Sequence, residues 1–171
     1  MGRHLLTLPV PSHTDAALGQ AIAEVRSPSE QGKWFAMHVM YAECGCSQRV
    51  LGHLLSRTPV ENVVERIVFV GKNDEELEHK ARALGYGFDS VTPDELAARY
   101  HVESAPLLVV ADPKGKVKYV GGYTDRKQSP AIRDAEILAR LVRGTNVTPL
   151  PAFGCAVSEK LQAAVNPLGI R

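Results

Sequence analysis

Cys44 and Cys46, one residue apart in Ala42-Glu43-Cys44-Gly45-Cys46-Ser47, are the residues of this chain best suited to chemistry. An apolar, β-rich run, Trp34 to Met40, precedes them, as expected of a strand buried on both faces. After them Val50, Leu51, Leu54 and Leu55 fall at helical spacing, with Ser47 placed to cap the helix and Gln48, Arg49, His53 and Arg57 around its other side. Both thiols therefore fall at a helix start, where unpaired backbone N–H groups and the macrodipole favour a thiolate. Gly45 gives the backbone freedom for the two sulfurs to close on each other in a small ring. A strained disulfide is readily reduced, which makes the pair a better oxidant or isomerase than reductant.

Cys155, in Phe153-Gly154-Cys155-Ala156, is the third cysteine of the chain. It is a redox thiol exchanging with the pair, a third metal ligand or a buried bystander, and the residues do not decide among these. Glu43 is placed either to accept a proton or to stand as a solvated loop carboxylate. His53 lies two helical turns beyond Cys46, about 10 Å away by helix rise, and is expected at the surface. His38, inside the apolar strand, reads as a satisfied core histidine. Trp34 and Tyr41 read as packing residues. No Cys-x-x-His or His-Glu-x-x-His pattern supports a closed zinc site, although two close thiolates with Cys155 or a histidine would suit Cu(I). Asn146-Val147-Thr148 matches a glycosylation sequon, a short pattern that arises often by chance. Gly121-Gly122 lacks the spacing and lysine of a phosphate loop.

The elements that must position these groups follow in order. Met1 to Ser12 reads as an extended lead-in, and Thr14 or Asp15 opens a helix through Ile22 and Val25. Beyond the cysteine turn, Thr58-Pro59 breaks the helix and Val63 to Val70 forms a second buried strand. Asn73 to Glu76 starts a helix with the right charge for its dipole. Phe88 lies in a short strand, and Thr92-Pro93 opens a brief helix ending near Tyr100. Leu107 to Ala111 and Val117 to Val120 form a hairpin around Asp112-Pro113-Lys114-Gly115. Ser129-Pro130 begins a helix running to Val142, and Gly144 stops it. After a Pro-rich loop, Ala156 to Val165 reads as a short helix that places Cys155 at its N-terminus.

The chain has 171 residues, 44% hydrophobic and 23% charged, with 20 basic and 19 acidic side chains. This suits one soluble domain with a single core and gives no sign of a nucleic-acid or membrane-surface partner. Three cysteines are too few for a disulfide scaffold. No run reaches the length of a membrane span. Met1 to Val10 lacks a signal-peptide pattern, so the protein is either cytosolic or its export segment has been removed.

The order strand, cysteine turn, helix, strand, helix, followed by Tyr100-His101-Val102-Glu103-Ser104-Ala105-Pro106, resembles the thioredoxin-like superfamily over roughly residues 33–143. The second stretch is similar to the family's Tyr-x-Val-x-x-x-Pro turn. The insertion from Gly71 to Ala98 is similar to that of the TlpA/ResA and AhpC/TSA (redoxin) branch. The resemblance implies an α/β fold, a three-layer α/β/α sandwich on a central mixed sheet, with Pro106 cis and facing the cysteines. Residues 1–32 then form a lead-in and helix, 33–143 the thioredoxin-like domain, and 144–171 an extension carrying Cys155 and packing on the same domain. Cys-Gly-Cys-Ser departs from the family's Cys-x-x-Cys, and the absence of Pro and Thr from Met37 to Glu43 disfavours a peroxidase.

By analogy Cys44 is the exposed nucleophile and Cys46 the resolver, with Pro106 guiding the substrate backbone. The implied activity is thiol-disulfide exchange with a protein disulfide or dithiol, docking as an extended strand along the Pro106 edge and requiring no cofactor. The alternative is a copper-binding module similar to the Sco-type members, which space their cysteines further apart. A reactive dithiol suits the periplasm or cell envelope better than the reducing cytosol.

Overall fold

The computed structural model describes residues 7–166. Asp15 caps the first helix, α1 (Ala16–Val25), its carboxylate accepting from the Ala17 and Leu18 N–H groups at 2.8 and 3.4 Å. Strand β1 (Trp34–Tyr41) leads to α2 (Gly45–Leu54), β2 (Val63–Val70), α3 (Glu75–Ala83) and β3 (Gly87–Val91). Helix α4 (Pro93–Tyr100) opens on a reciprocal cap between Thr92 and Glu95. Then come β4 (Ser104–Ala105), β5 (Leu107–Ala111), β6 (Val117–Gly121), α5 (Asp134–Val142), β7 (Cys155–Ala156) and α6 (Glu159–Val165).

Five strands form one sheet in the order β3-β2-β1-β5-β6. The β1–β2 and β2–β3 pairs are parallel and the β1–β5 and β5–β6 pairs antiparallel, so the sheet is mixed. Alternation along β1 divides the core. Phe35, Met37 and Val39 face Leu18 and Ile22 of α1 and Leu96 and Tyr100 of α4. Ala36 and Met40 face Val50, Leu51 and Leu54 of α2 and Ile137, Leu138 and Leu141 of α5. Burial of both faces explains the nearly unbroken apolar run of β1, and a βαβ crossover through α2 delivers the parallel β2.

Two elements differ from the sequence expectation. Residues 129–133 are not helical; α5 begins at Asp134, and the Arg133 N–H is committed to the Tyr123 carbonyl at 2.9 Å. The last helix begins at Glu159 because Ser158, not Cys155, caps it, accepting from the Leu161 N–H at 3.1 Å. Cys155 and Ala156 are instead strand, paired antiparallel with Ala105 and Ser104. Part of the expected lead-in, residues 1–6, lies outside the described residues.

Beneath the sheet on the α2 side lies a buried polar network. His38 is fully buried, with Nε2 2.8 Å from Glu65 Oε2 and Nδ1 3.0 Å from the Tyr123 hydroxyl, which also donates to the Leu107 carbonyl at 3.2 Å. Arg57 donates to both Glu65 oxygens at 3.1 and 2.7 Å and also to Asp134 Oδ2. His53, expected at the surface, is partly covered and lies 2.8 Å from Asp134 Oδ1. Burial works to raise the Glu65 pKa, but His38 and then Arg57 outweigh it and bring it down from 4.5 to about 2. A carboxylate whose pKa falls on folding stabilises the fold above its unfolded value, and that contribution is lost as the pH drops through 4.5 towards 2. Urea midpoints measured from pH 6 to 2 should therefore fall more steeply for the native chain than for Glu65→Gln; parallel curves would remove Glu65 from the acid transition.

Candidate functional site

The C-terminal end of β1 delivers Cys44 to the start of α2, where Cys44 itself is the N-cap residue in extended conformation (φ −114°, ψ 114°). Ser47 is not the cap. It is the third helical residue and is buried, and its N–H and hydroxyl lie close enough to the Cys44 sulfur to favour its charge, though its hydroxyl makes no aligned hydrogen bond. Serine outranks cysteine as a cap in local preference, but the strand-to-helix turn comes three residues earlier.

Cys44 is fully buried, whereas Cys46 and Cys155 are partly exposed, and all three are free thiols. The exposure expected for Cys44 by analogy is not found, because the extension lies against it: Cys155 is the partner of Ala105 in the β4–β7 pair, and the Cys44 thiol faces the Ala105 carbonyl at 3.7 Å. The Ala105–Pro106 peptide bond is cis. The three sulfurs, the Ala105 carbonyl and this turn are thus drawn together from stretches some sixty and fifty residues apart.

The charge distribution within the cluster is uneven. Closeness to the Cys155 sulfur, then to the Cys46 sulfur, lowers the Cys44 pKa far below the ordinary thiol value against the cost of burial, with Ser47 adding to the effect. The same contacts, together with burial, push Cys46 and Cys155 up. Arg49 and Lys127 pull Cys46 the other way. Among three close sulfurs a negative charge on one opposes ionisation of the other two, which is why the shifts run in opposite directions.

Around the cluster, Tyr41 is near enough to Cys155 and Cys44 that both, after its own burial and Glu43, raise its pKa. Glu43 is exposed and accepts from the Tyr41 hydroxyl at 3.1 Å. His38 is linked to the site through Tyr123. A narrow cleft beside Cys46 is lined by Arg49, Pro106, Tyr123, Thr124, Gln128 and Phe153. Among the described residues no group of three or more His, Cys, Asp or Glu is arranged to hold a metal ion.

Gly154 and Ser47 carry roles that the sequence reading did not assign. A Cβ on Gly154 would fall 2.0 Å from the Ala105 oxygen and 2.6 Å from Pro106 Cδ, so only glycine lets the extension lie against the turn. The signal for Gly154 was its place immediately before a cysteine; for Ser47 it was the three-residue spacing from Cys44.

No protein-family model matches the chain, and no curated protein matches it by sequence. Among solved structures, an uncharacterized conserved protein from Geobacillus kaustophilus is similar at 18% identity and TM-score 0.54, over 75% of this chain and 78% of that one. A hypothetical protein from Sinorhizobium meliloti 1021 is similar at 14% identity and TM-score 0.53, over 92% of this chain and 93% of that one. A secreted Mycobacterium tuberculosis disulfide oxidoreductase is similar at 16% identity and TM-score 0.45, over 68% and 84%.

Proposed function

We propose that this chain, thioredoxin-like in fold, is a thiol-disulfide oxidoreductase in which Cys44 is the nucleophile. The observation that carries the reading is the Cys44 sulfur itself, the N-cap of α2, favoured as a thiolate by two neighbouring thiols and lying under the Ala105–Pro106 turn. The thiolate attacks a disulfide sulfur of another protein, one thiol of the partner leaves, and a flanking thiol then displaces the second. Cys46 and Cys155 are the two flanking thiols, Pro106 guides the incoming backbone, and Glu43 stands near enough to Tyr41 to take part in proton transfer at the rim.

The substrate is a protein disulfide or dithiol, and no step calls for a cofactor. Docking as a strand on β4 would compete with the chain's own β7, so the approach runs over the cleft beside Cys46. Arg49 and Lys127, both acting on Cys46, give that rim a positive character. Such chemistry belongs in an oxidising compartment such as the bacterial envelope. No helix among the described residues is long and apolar enough to cross a membrane.

The test is catalysed reduction of the interchain disulfides of insulin by dithiothreitol, followed as turbidity. The chain should shorten the lag in proportion to its concentration. A lag unchanged from buffer, with a folded protein, would sink the proposal.

A further inference from the structure

Resting on Cys44 as the nucleophile, we infer that Cys155, carried on the extension, is the thiol that closes a disulfide with Cys44, and that Cys46 is not. Three observations lead there.

The first is register. Cys155 pairs with Ala105, whose carbonyl is the atom that the Cys44 thiol faces, so β7 sets the third sulfur beside the nucleophile from a separate strand. The second is how firmly that strand is held. Gly154 lies against Ala105 and Pro106, the Val157 N–H donates to the Glu103 carbonyl at 2.8 Å, and the Ser158 hydroxyl donates to Glu103 Oε1 at 2.7 Å. On the other side the Leu8 N–H donates to the Ala152 carbonyl at 2.9 Å, and Ala152 and Val157 are buried in the core. The third is the constraint on Cys46, the second residue of α2. Only Gly45 separates it from the N-cap Cys44, so a Cys44–Cys46 disulfide is a small, strained ring closed against the helical backbone of the first turn, whereas closing Cys44 on Cys155 leaves α2 intact.

The chemistry balances with an external disulfide, RS–SR, as oxidant. The Cys44 thiolate attacks one sulfur, forming Cys44–S–S–R and releasing RS⁻. Once Cys44 is derivatised, no charge on its sulfur opposes ionisation of Cys155. The Cys155 proton passes to the released RS⁻, its sulfur attacks Cys44 Sγ, and a second RS⁻ leaves. The chain ends oxidised by two electrons as Cys44–S–S–Cys155, with one RSH and one RS⁻ formed.

The experiment treats the reduced full chain with 4,4′-dithiodipyridine, follows thiopyridone release by stopped flow, and maps the disulfides by non-reducing peptide mass spectrometry. The native chain and Cys46→Ser should both release the second equivalent rapidly and yield the Cys44–Cys155 linked peptide. Cys155→Ser should still form the Cys44 adduct with release of the first equivalent, but should release the second at least tenfold more slowly than the native chain. A Cys44–Cys46 linked peptide in the native chain, with Cys155→Ser as fast as native in its second step, overturns the inference and leaves the nucleophile standing. A Cys44 that forms no adduct overturns both.

Discussion

Cys44→Ser is expected to lose insulin reduction to the background rate, a fall on the order of 10³-fold or more, the scale on which removing a covalent nucleophile acts. The substitution replaces sulfur by oxygen at a site that is already buried, so the fold should survive with unchanged far-ultraviolet circular dichroism. What disappears is the sulfur whose pKa the neighbouring Cys155 and Cys46 sulfurs lower. Its depressed pKa also sets a pH dependence. A thiol shifted downward stays ionised as the pH falls, so the thiolate ultraviolet absorbance of the native chain minus that of Cys44→Ser should persist from pH 8 to 5. An ordinary thiol, with a pKa of about 8.5, would lose that signal over the same interval. A difference spectrum that vanishes below pH 8, or a serine variant that retains activity, would remove Cys44 from the chemistry.

Arg57→Ala should be the most destabilising single change outside the apolar core. Glu65 and Asp134 have no solvent exposure, and Arg57 lies against both, its guanidinium also 5.8 Å from the Tyr86 ring centroid. The pKa of Arg57 rises above its usual value despite burial because these two carboxylates surround it. Removing it leaves two buried carboxylates with no cation but His38 and His53 and, for Glu65, the Val60 N–H at 2.5 Å, and breaking such a pair costs about 3–5 kcal/mol. Against a total stability of about 5–15 kcal/mol, that is a large share. For a chain of this size it corresponds to a fall in Tm of roughly 6–20 °C. The triple variant Arg57→Met, Glu65→Gln, Asp134→Asn should recover most of the loss, because it removes the uncompensated charge rather than the packing. Equal melting of Arg57→Ala and native protein would show that the network adds nothing to stability.

How far the sequence could be read depended on the range of the interactions that form each part. Strand β1, the β5–β6 hairpin around Asp112 and the Thr92-Pro93 helix start were legible because their signals are local: an apolar run, a turn closed by the Asp112 carboxylate on the Lys114 and Lys116 N–H groups, and a cap four residues long. Cys155 was misplaced because its strand is two residues long and takes its form from Ala105, fifty positions away. Nothing local distinguishes such a bridge from the first turn of the helix that follows. His53 and Arg57 fell on the polar side of a helical pattern and read as solvated. Their partner Asp134 lies 81 and 77 residues on, and burial of that carboxylate is set by the docking of α5. The cysteine pair could be singled out from residue type and spacing, but the third sulfur's distance from the first is a property of the tertiary fold alone.

The glycines that meet the extension have a bearing on how its length can vary. A Cβ on Gly122 would fall 2.0 Å from the Pro151 oxygen, as one on Gly154 would from Ala105, so the extension is keyed to the domain at two points three residues apart. Upstream, Arg143 to Asn146, Thr148 and Pro149 are exposed. Slack can be inserted or deleted in that connection without moving the sulfur. Between Pro151 and Cys155 a single added or missing residue would break the key and carry the thiol out of reach.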